Sequence, residues 1–243
     1  MRVKDETIIT DADDEEIKGE HNIDEFASYF KNESAPKILM TTNRRPNGKL
    51  FSFLKEVKSA FPNVEYYERK NHLVKTMIEE GKKRGFTDLM LFYEKMGKPH
   101  TMILSHLPDG PTATFRISGV KLRDQIANHG AAPLDVNPEL IMNNFDTMLG
   151  HRIGRMLATL FPQVPNLSAR RAITLHNQRD FVFFRHHRYE FGDDGNTVAL
   201  KEVGPRFTMK LHTLQLGTLN KKQGEYEFIY KPRDGVNRKK FFL

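Results

Sequence analysis

The chain contains an internal repeat with a spacing of about 100 residues, and this repeat restricts the possible folds. The segment PKILMTTN starts at Pro36, and the similar segment PELIMNNF starts at Pro138. Each is followed by a glycine, at Gly48 and Gly150, and by a stretch that ends in FPNV in the first copy and in FPQV in the second. Because these landmarks recur in the same order, they predict two tandem copies of one strand–helix–strand unit.

Strands and helices alternate within each copy, which is typical of a layered α/β domain. In the first copy, the patterns predict strands at PKILMTTN, PNVEYYERK and FTDLMLFYEK and a helix over KLFSFLKEVKSAF. A second helix is predicted from a cap at Asn71 to a stop at Gly85. A hairpin that turns at Pro108–Asp109–Gly110 follows. In the second copy we predict strands at RAITLHN, DFVFFRHHRYEF and GPRFTMKLHTLQLGT.

Charge divides the 243 residues into an acidic head and a basic body. The chain holds 38 Lys/Arg and 31 Asp/Glu. Residues 1–35 contain 4 of the Lys/Arg and 11 of the Asp/Glu, which gives this segment a net charge of −7. The other 208 residues hold the remaining 34 and 20, a net charge of +14. A body this basic favours a polyanionic partner, and general solubility is the alternative reading.

The composition also defines the expected domain boundaries. We expect the head, 1–35, to be a partly disordered extension, with a short docking helix on which Ile23, Phe26 and Phe30 share a face. The α/β domain is predicted at 36–218. Its halves are predicted at 36–130 and 133–218, and a basic, aromatic tail at 219–243.

Several protein classes are excluded by composition. With 38% hydrophobic residues and 18 Phe, the chain can bury a large core. It has no Cys, so disulfides and thiolate zinc sites are excluded. Its apolar runs are far shorter than the roughly 18 residues of a membrane helix, and its acidic start differs from a signal peptide. We therefore expect a soluble intracellular protein.

Catalytic motifs are absent from the sequence. There is no P-loop, no HExxH pair and no nucleophile elbow. The adjacent His186 and His187 face opposite sides of a strand and are poorly placed to share a metal. The DADD segment at 11–14 could hold Mg²⁺, but a solvated acidic run is the simpler reading. We predict no catalytic residue, no metal site and no cofactor.

Two basic loops are candidate phosphate sites. TTNRRPNGK runs into a predicted helix N-terminus, where backbone N–H groups and the helix dipole favour anions. GHRIGR occupies the corresponding place in the second copy. A solvated loop and a solvated helix are the alternatives. The predicted RNA contacts here are Arg44, Arg45, Lys49, Arg152 and Arg155.

The strand at 179–191 is the densest mixture of basic and aromatic residues. Alternation places Phe181, Phe183, Tyr189 and Phe191 on one face, which we expect to pack inward. Aromatic and basic residues together suit unpaired or backbone-bound RNA, and an ordinary strand near the surface is the alternative. The predicted RNA contacts are Arg185, His187 and Arg188.

The strand at 204–218 changes its apolar parity along its length. Phe207, Met209 and Leu211 share one parity, whereas Leu214 and Leu216 have the other. This slip predicts a β-bulge near His212–Thr213. Two further RNA contacts are predicted on this strand, Arg206 and Lys210, and pairing of Arg206 with an internal carboxylate is the alternative.

The tail combines cations with large apolar side chains. A free run of this kind would be a liability. It is expected to dock on a partner protein or RNA, or to pack back onto the domain. The predicted partner-binding residues are Tyr226, Phe228, Tyr230, Phe241 and Phe242.

Taken together, these segments resemble the Brix domain family of eukaryotic ribosome assembly factors. The resemblance covers roughly 36–243. The stretches FVFFRHHRY and GPRF are its most specific parts, and KILMTTNRRPNGKLFSFLKEVKSAFPNVEYYER and LIMNNFDTMLGHRIGRMLATLFP support it. The resemblance implies an α/β domain of two tandem halves, each similar to the anticodon-binding domain of class IIa tRNA synthetases, in agreement with the repeat.

The resemblance also implies a non-enzymatic role in the nucleus and nucleolus, in maturation of the large ribosomal subunit. The implied partners are pre-rRNA, pre-ribosomal proteins and a second assembly factor. That factor would be a zinc-binding one, whose zinc would be its own because this chain lacks Cys. No membrane and no small-molecule substrate is expected. Relatives often carry a longer, basic extension before the domain, so no RNA contact is inferred from the acidic residues 1–35.

Two rival functions remain from the sequence. The chain could be a protein–protein adaptor inside a pre-ribosomal particle, with the acidic head and the tail as its binding segments. It could also be a nuclease, although no catalytic motif supports that reading.

Overall fold

A computed structural model describes residues 8–9, 19, 23–131, 136–192, 197–219, 224–231 and 241–243. Most of the acidic head, including the DADD segment, lies outside the described residues. The expectation that the head is partly disordered is therefore not addressed by the structure for that part of the chain.

The described residues form a mixed α/β fold with one large sheet. Its strands are β1 (Ile38–Thr42), β2 (Val64–Tyr66), β3 (Asp88–Lys95), β4 (Lys98–His106), β5 (Thr112–Lys121), β6 (Glu139–Asn143), β7 (Arg171–Gln178), β8 (Phe181–Phe191), β9 (Val198–Glu202), β10 (Arg206–Gln215) and β11 (Tyr226–Ile229). Its helices are α1 (Ala27–Phe30), α2 (Gly48–Ala60), α3 (Val74–Lys83) and α4 (Met148–Ala158).

The strand order reads alike from both sides of the sheet. The order is β2–β1–β3–β4–β5–β10–β8–β7–β6, with β11 on β10 and β9 on β8. We call β1 to β5 with α2 and α3 the first half, and β6 to β10 with α4 the second half. In the first half β1–β3 is a parallel pair, and β3–β4 and β4–β5 are antiparallel. In the second half β6–β7 is parallel, and β7–β8 and β8–β10 are antiparallel. The halves join through the antiparallel pair β5–β10.

The first half carries a strand and a helix, β2 and α3, without counterparts in the second. The connection from α4 to β7, all of it described, contains one 3-10 turn at Leu167–Ala169. The parallel pairs β1–β3 and β6–β7 are therefore joined by crossovers of different length.

The two long inner helices begin at equivalent caps. The Asn47 side chain accepts the Lys49 N–H at the start of α2, and the Thr147 side chain accepts the Gly150 N–H at the start of α4. Polar oxygens at such positions satisfy backbone donors that have no partner within the helix. The two caps, Asn47 and Thr147, are 100 residues apart and mark the same place in the two repeats. Gly48 and Gly150 are not equivalent, because they are the first and the third residues of their helices.

Helix α3 follows the prediction at its end but not at its start. Gly85 has a positive φ of 69° just after the helix, as expected of a stop residue. The predicted cap at Asn71 is wrong, because the His72 N–H bonds to the Arg69 carbonyl in a turn and the helix begins at Val74. The predicted hairpin is confirmed by the antiparallel pairing of β4 with β5.

One face of the sheet, here called the inner face, carries most of the core. Helices α2 and α4 pack on it, through residues such as Phe53 and Ile153, in one cluster with strand residues of both halves. On the opposite, outer face, α3 covers part of the first half, where Ile78 packs with Leu39 and Leu89. The two faces are therefore covered unequally.

The predicted orientation of β8 is wrong. Val182, Phe184 and His186 are the buried side chains, whereas Phe181 and Phe191 are exposed to 39% and 54%. The helices instead lie on the face of the other parity, and the burial of His186 is compensated by hydrogen bonds.

The predicted bulge in β10 is confirmed. Leu211 pairs with Phe115 and Thr213 pairs with Thr114, so β10 contains one extra, unpaired residue, His212, between these two pairs. The bulge changes the parity, and as a result Leu211 and Leu214 both lie in the core.

Segments from outside the predicted domain boundaries complete the core. Phe26 is fully buried, and its ring meets that of His106 edge-on at 5.1 Å. Of the predicted set, Phe26 is buried and the half-buried Phe30 packs against the core, whereas Ile23 is 85% exposed. Tyr29 of the same segment is also buried. Leu243 is also buried in the core.

A buried arginine joins the halves. Arg171 of β7 donates from Nε to His186 Nε2 at 2.9 Å and from a terminal nitrogen to the Ala60 carbonyl, at the end of α2, at 2.9 Å. His186 Nδ1 donates to the Gly204 carbonyl at 2.8 Å. Carbonyls at a helix C-terminus carry partial negative charge, so they favour a guanidinium. The second half is thereby fixed to the first half's inner helix.

Candidate nucleic-acid interface

The outer face of the sheet, over the second half and the adjoining strand β5, is a surface that none of the described helices covers. It extends across β5, β10, β8 and β7, and we call it the open face. By strand alternation its side chains are those of Thr114, Arg116, Ser118, Arg206, Thr208, Lys210, Phe181, Phe183, Arg185, His187, Thr174 and His176. Cations and aromatic rings are thus brought side by side from strands distant in sequence.

Lys210 lies between two aromatic rings near the centre of the open face. Its Nζ is 4.9 Å from the centroid of the Phe181 ring and 4.1 Å from that of Tyr230. Cation–π attraction at these distances holds the ammonium group while leaving it half-exposed. The site therefore presents one cation flanked by two rings on which bases could stack.

Arg185 forms a second cation–aromatic pair. Its guanidinium is 5.4 Å from the Phe183 ring centroid and donates to the Phe184 carbonyl at 2.8 Å. Burial, together with the neighbouring Arg206, lowers the pKa of Arg185. The guanidinium is thus partly desolvated and lies next to a like charge, an arrangement that an added anion would relieve.

Arg116 is an open-face cation that is absent from the predicted RNA contacts. It is exposed on β5, directly across from Lys210 on β10. Burial lowers the pKa of His100 and of His212, and Arg116 acts in the same direction on both. The signal was present in TATFRISG, where Ala113, Phe115 and Ile117 alternate with polar residues.

Arg206 pairs with a carboxylate, the alternative that the sequence left open. Its Nε donates to Glu202 Oε1 at 2.8 Å, and a second nitrogen contacts Glu202 Oε2. These hydrogen bonds raise the pKa of Arg206. Burial lowers the pKa of the neighbouring His187.

Arg188 lies on the face opposite to Arg185 and His187. It is half-buried, across from Arg171 on β7 and Lys201 on β9. The predicted set on β8 is therefore divided between the two faces of the sheet.

The loop before α2 presents its basic side chains to solvent, away from the open face. Arg44, Arg45 and Lys49 are all exposed. The Lys49 N–H, however, is already accepted by the Asn47 side chain at 3.1 Å. An anion here would be held by side chains more than by the helix terminus.

The corresponding arginines of the second half are engaged in ion pairs. Arg155 binds Asp24 with two hydrogen bonds of 2.7 Å, and its guanidinium is 4.3 Å from the Phe30 ring centroid. Arg152 binds Glu25 and Glu227 at 2.9 Å each. They lie within α4 instead of at its N-terminus, so the predicted equivalence of the two basic loops is wrong. Their pairing fixes the segment before β1 to α4.

The described parts of the tail, 224–231 and 241–243, pack back onto the domain, one of the options that the sequence left open. Tyr226 and Phe228 belong to β11, which pairs with β10. The Phe228 and Phe242 rings are 5.4 Å apart, and the Phe242 and Leu243 N–H groups both donate to Asp180 Oδ1. Phe241 is half-buried, and Tyr226 is 40% exposed.

Within the described ranges, no group of three or more His, Cys, Asp or Glu side chains is arranged to hold a metal ion. None of the helices in these ranges combines the length and hydropathy of a membrane-spanning segment.

Comparison with known proteins assigns the fold to a family. A sequence model of the Brix domain matches residues 43–213. Ribosome production factor 1 of Pongo abelii is 47% identical over 244 residues, which cover all of this chain and 69% of that protein. The protein of the same name from Xenopus laevis is 45% identical and is covered to 71%.

A solved structure shares the fold. The crystal structure of a probable ribosomal biogenesis protein from Aeropyrum pernix K1 matches with a TM-score of 0.51 at 18% identity, over 72% of this chain and 96% of that one. The Brix domain model matches residues in both halves of the sheet, and the relatives named above are 45–47% identical to this chain. The chain therefore belongs to the Brix domain family.

Proposed function

We propose that this chain is a non-enzymatic, RNA-binding assembly factor in large ribosomal subunit biogenesis. Its relatives are named ribosome production factor 1, which supports a role in making ribosomes. In this proposal it acts in the nucleolus, holding pre-rRNA in place and recruiting a second assembly factor. If that factor binds zinc, the zinc belongs to the partner, because this chain has no Cys.

The observation that carries the RNA-binding proposal is the open face. Arg116, Lys210 and Arg185 lie beside Phe181 and Phe183 on a sheet surface that none of the described helices covers. Cations bind phosphates without regard to sequence, and aromatic rings stack on unpaired bases. This combination favours single-stranded RNA segments over regular duplex.

The mechanism is positioning, without bond chemistry. Arg44, Arg45 and Lys49 add a second cationic surface in the first half. An RNA strand bound at both places would be held across the domain. Arg152 and Arg155 are left out of the proposed contacts because carboxylates already engage them.

The test is the salt dependence of binding to single-stranded segments of large-subunit pre-rRNA. With about six phosphate contacts, affinity should fall on the order of a thousandfold between 50 and 200 mM salt. A nearly flat response would remove the electrostatic basis of the proposal.

We propose further that each half derives from a unit similar to the anticodon-binding domain of class IIa tRNA synthetases. The matching strand order of the halves supports a duplication. Superposition of the first half, without β2 and α3, on the second half is the direct test.

A protein–protein adaptor is the second candidate, and the ribbon of β8 and β9 favours it. Phe191, Val198 and Leu200 are 54%, 49% and 67% exposed, and Phe191 lies directly across from Val198. Exposed apolar clusters of this kind mark protein contacts. The test uses the double variant Phe191→Ser with Leu200→Ser and the single variant Arg116→Ala. The adaptor is favoured if the double variant no longer captures a partner protein while both variants keep their affinity for RNA.

A further inference from the structure

A pocket of about 520 Å³ lies where the open face meets the connection between the halves. Its walls include His187 and Arg206 of the open face, Lys121 at the end of β5, and Leu200 and Lys201 of β9. Its volume is in the range of small-ligand sites. We call it the corner pocket.

The corner pocket has an excess of positive charge. Lys121 lies directly across from Arg206 on paired strands, an arrangement in which like charges repel. Glu202 is the wall's carboxylate. Lys201 pairs with Arg188, so its side chain lies by alternation on the opposite face of β9. Because both oxygens of Glu202 contact Arg206, the exposed Lys121 is the cation left to attract an anion.

Apolar surface lies beside these cations. Leu200 is 67% exposed and faces the pocket, and Ile126 and Ala127 add further apolar atoms. The amide side chains of Gln125 and Asn128 also line it. A wall that combines cations, amides and apolar surface matches the three parts of a nucleotide, which are its phosphate, the polar edge of its base and the flat face of its base.

We infer that the corner pocket binds one unstacked nucleotide of an RNA strand, with its phosphate on Lys121 and its base against Leu200. This inference rests on the proposed function, since it assigns one end of the RNA path on the open face. A nucleotide held here fixes where the strand begins or ends its course across β10 and β8.

The experiment compares two singly substituted chains with equal charge change. Lys121→Ala removes the pocket's free lysine, and Lys55→Ala removes an exposed lysine of α2 on the other side of the sheet. The probes are a single-stranded ten-nucleotide oligouridylate and uridine 5′-monophosphate. Because a cation in contact with phosphate is worth about fivefold in affinity near 0.15 M salt, the pocket variant should bind the oligonucleotide about fivefold more weakly. It should also lose the monophosphate-induced shifts of the His187 ring signals, and the α2 variant should keep both.

The outcomes separate the two proposals. If the unaltered chain fails to bind the oligonucleotide, the proposed function fails and the inference with it. If that chain binds, but the two variants weaken binding equally, the corner pocket is overturned and the RNA-binding proposal stands. Displacement of the monophosphate by an oligoglutamate at equal concentration would identify the pocket as a site for acidic protein segments and would also overturn the inference.

Discussion

The ring of Phe61 stacks on the ring of Phe161, with centroids 4.9 Å apart and planes inclined by 27°. These residues occupy the same place in the two FPxV motifs, 100 residues apart in the chain. Phe61 also stacks on Phe184 at 5.5 Å, and Phe184 stacks on Phe207 at 4.4 Å. The two repeats therefore meet at equivalent residues inside one shared core, and the halves should unfold together.

Phe161→Ala should lower the free energy of unfolding by about 3–5 kcal/mol, the usual cost of removing a buried aromatic side chain. Urea denaturation should show a single transition, followed equally by probes in both halves. Phe51→Ala, at a side chain that is 41% exposed, is the matched control and should have a small effect. Separate transitions for the two halves would contradict the shared core.

Stability should fall as the pH is lowered from about 6.5 toward 3. Burial, followed by the charge of Arg171, lowers the pKa of His186 to about 3. The unfolded chain, with an ordinary His pKa near 6.5, binds the proton first, so protonation favours unfolding over this window. Thermal denaturation at successive pH values measures the effect.

His186→Gln should flatten that pH dependence relative to the unaltered chain, because it removes the titrating group. His72→Gln, at an exposed histidine, is the control and should leave it in place. An unchanged pH profile in His186→Gln would show that another group is responsible.

Arg116→Ala with Lys210→Ala should weaken RNA binding by about 25-fold near 0.15 M salt, since two phosphate contacts are removed. The salt slope should become shallower in the same variant. Fluorescence anisotropy across a salt series measures both quantities.

Arg152→Ala with Arg155→Ala is the counterpart with the same change of charge. It should leave the affinity for RNA nearly unchanged and lower the free energy of unfolding by about 1–3 kcal/mol, because Asp24 and Glu25 lose their charged partners. A loss of RNA affinity equal to that of the open-face variant would show that net charge alone governs binding.

Arg185→Ala and Arg188→Ala should differ, although the residues are three apart on β8. Arg185 contacts the Phe183 ring on the open face, whereas Arg188 lies on the other side of the sheet. We expect Arg185→Ala to reduce RNA affinity by about fivefold near 0.15 M salt and Arg188→Ala to have little effect. Unfolding of the Arg185 variant, seen by circular dichroism, would instead assign that residue a structural role.

Phe26→Ala should destabilise the fold by about 3–5 kcal/mol, because its ring is fully buried. Ile23→Ala, three residues earlier and 85% exposed, is the control and should be nearly neutral. Equal effects of the two substitutions in thermal denaturation would show that this segment is not part of the cooperative unit.

Elements whose signal is local could be predicted from the order of residues alone. The spacing of apolar residues and turns predicted α2, the β4–β5 hairpin and the stop at Gly85, and the parity slip predicted the bulge in β10. The motifs FVFFRHHRY and GPRF identified the family. These features depend on neighbours along the chain, so the order of residues is sufficient to reveal them.

Tertiary structure decided which face each side chain uses and which charges are neutralised. Phe181, Phe183 and Phe191 of β8 face outward because α2 and α4 lie on the other side of the sheet. Arg155 is paired because Asp24, 131 residues away, is brought against α4. Lys121 and Arg206 share a pocket because β5 and β10 are adjacent. Such contacts join distant parts of the chain, and their energies depend on distance and burial in space, which periodicity within a single segment does not encode.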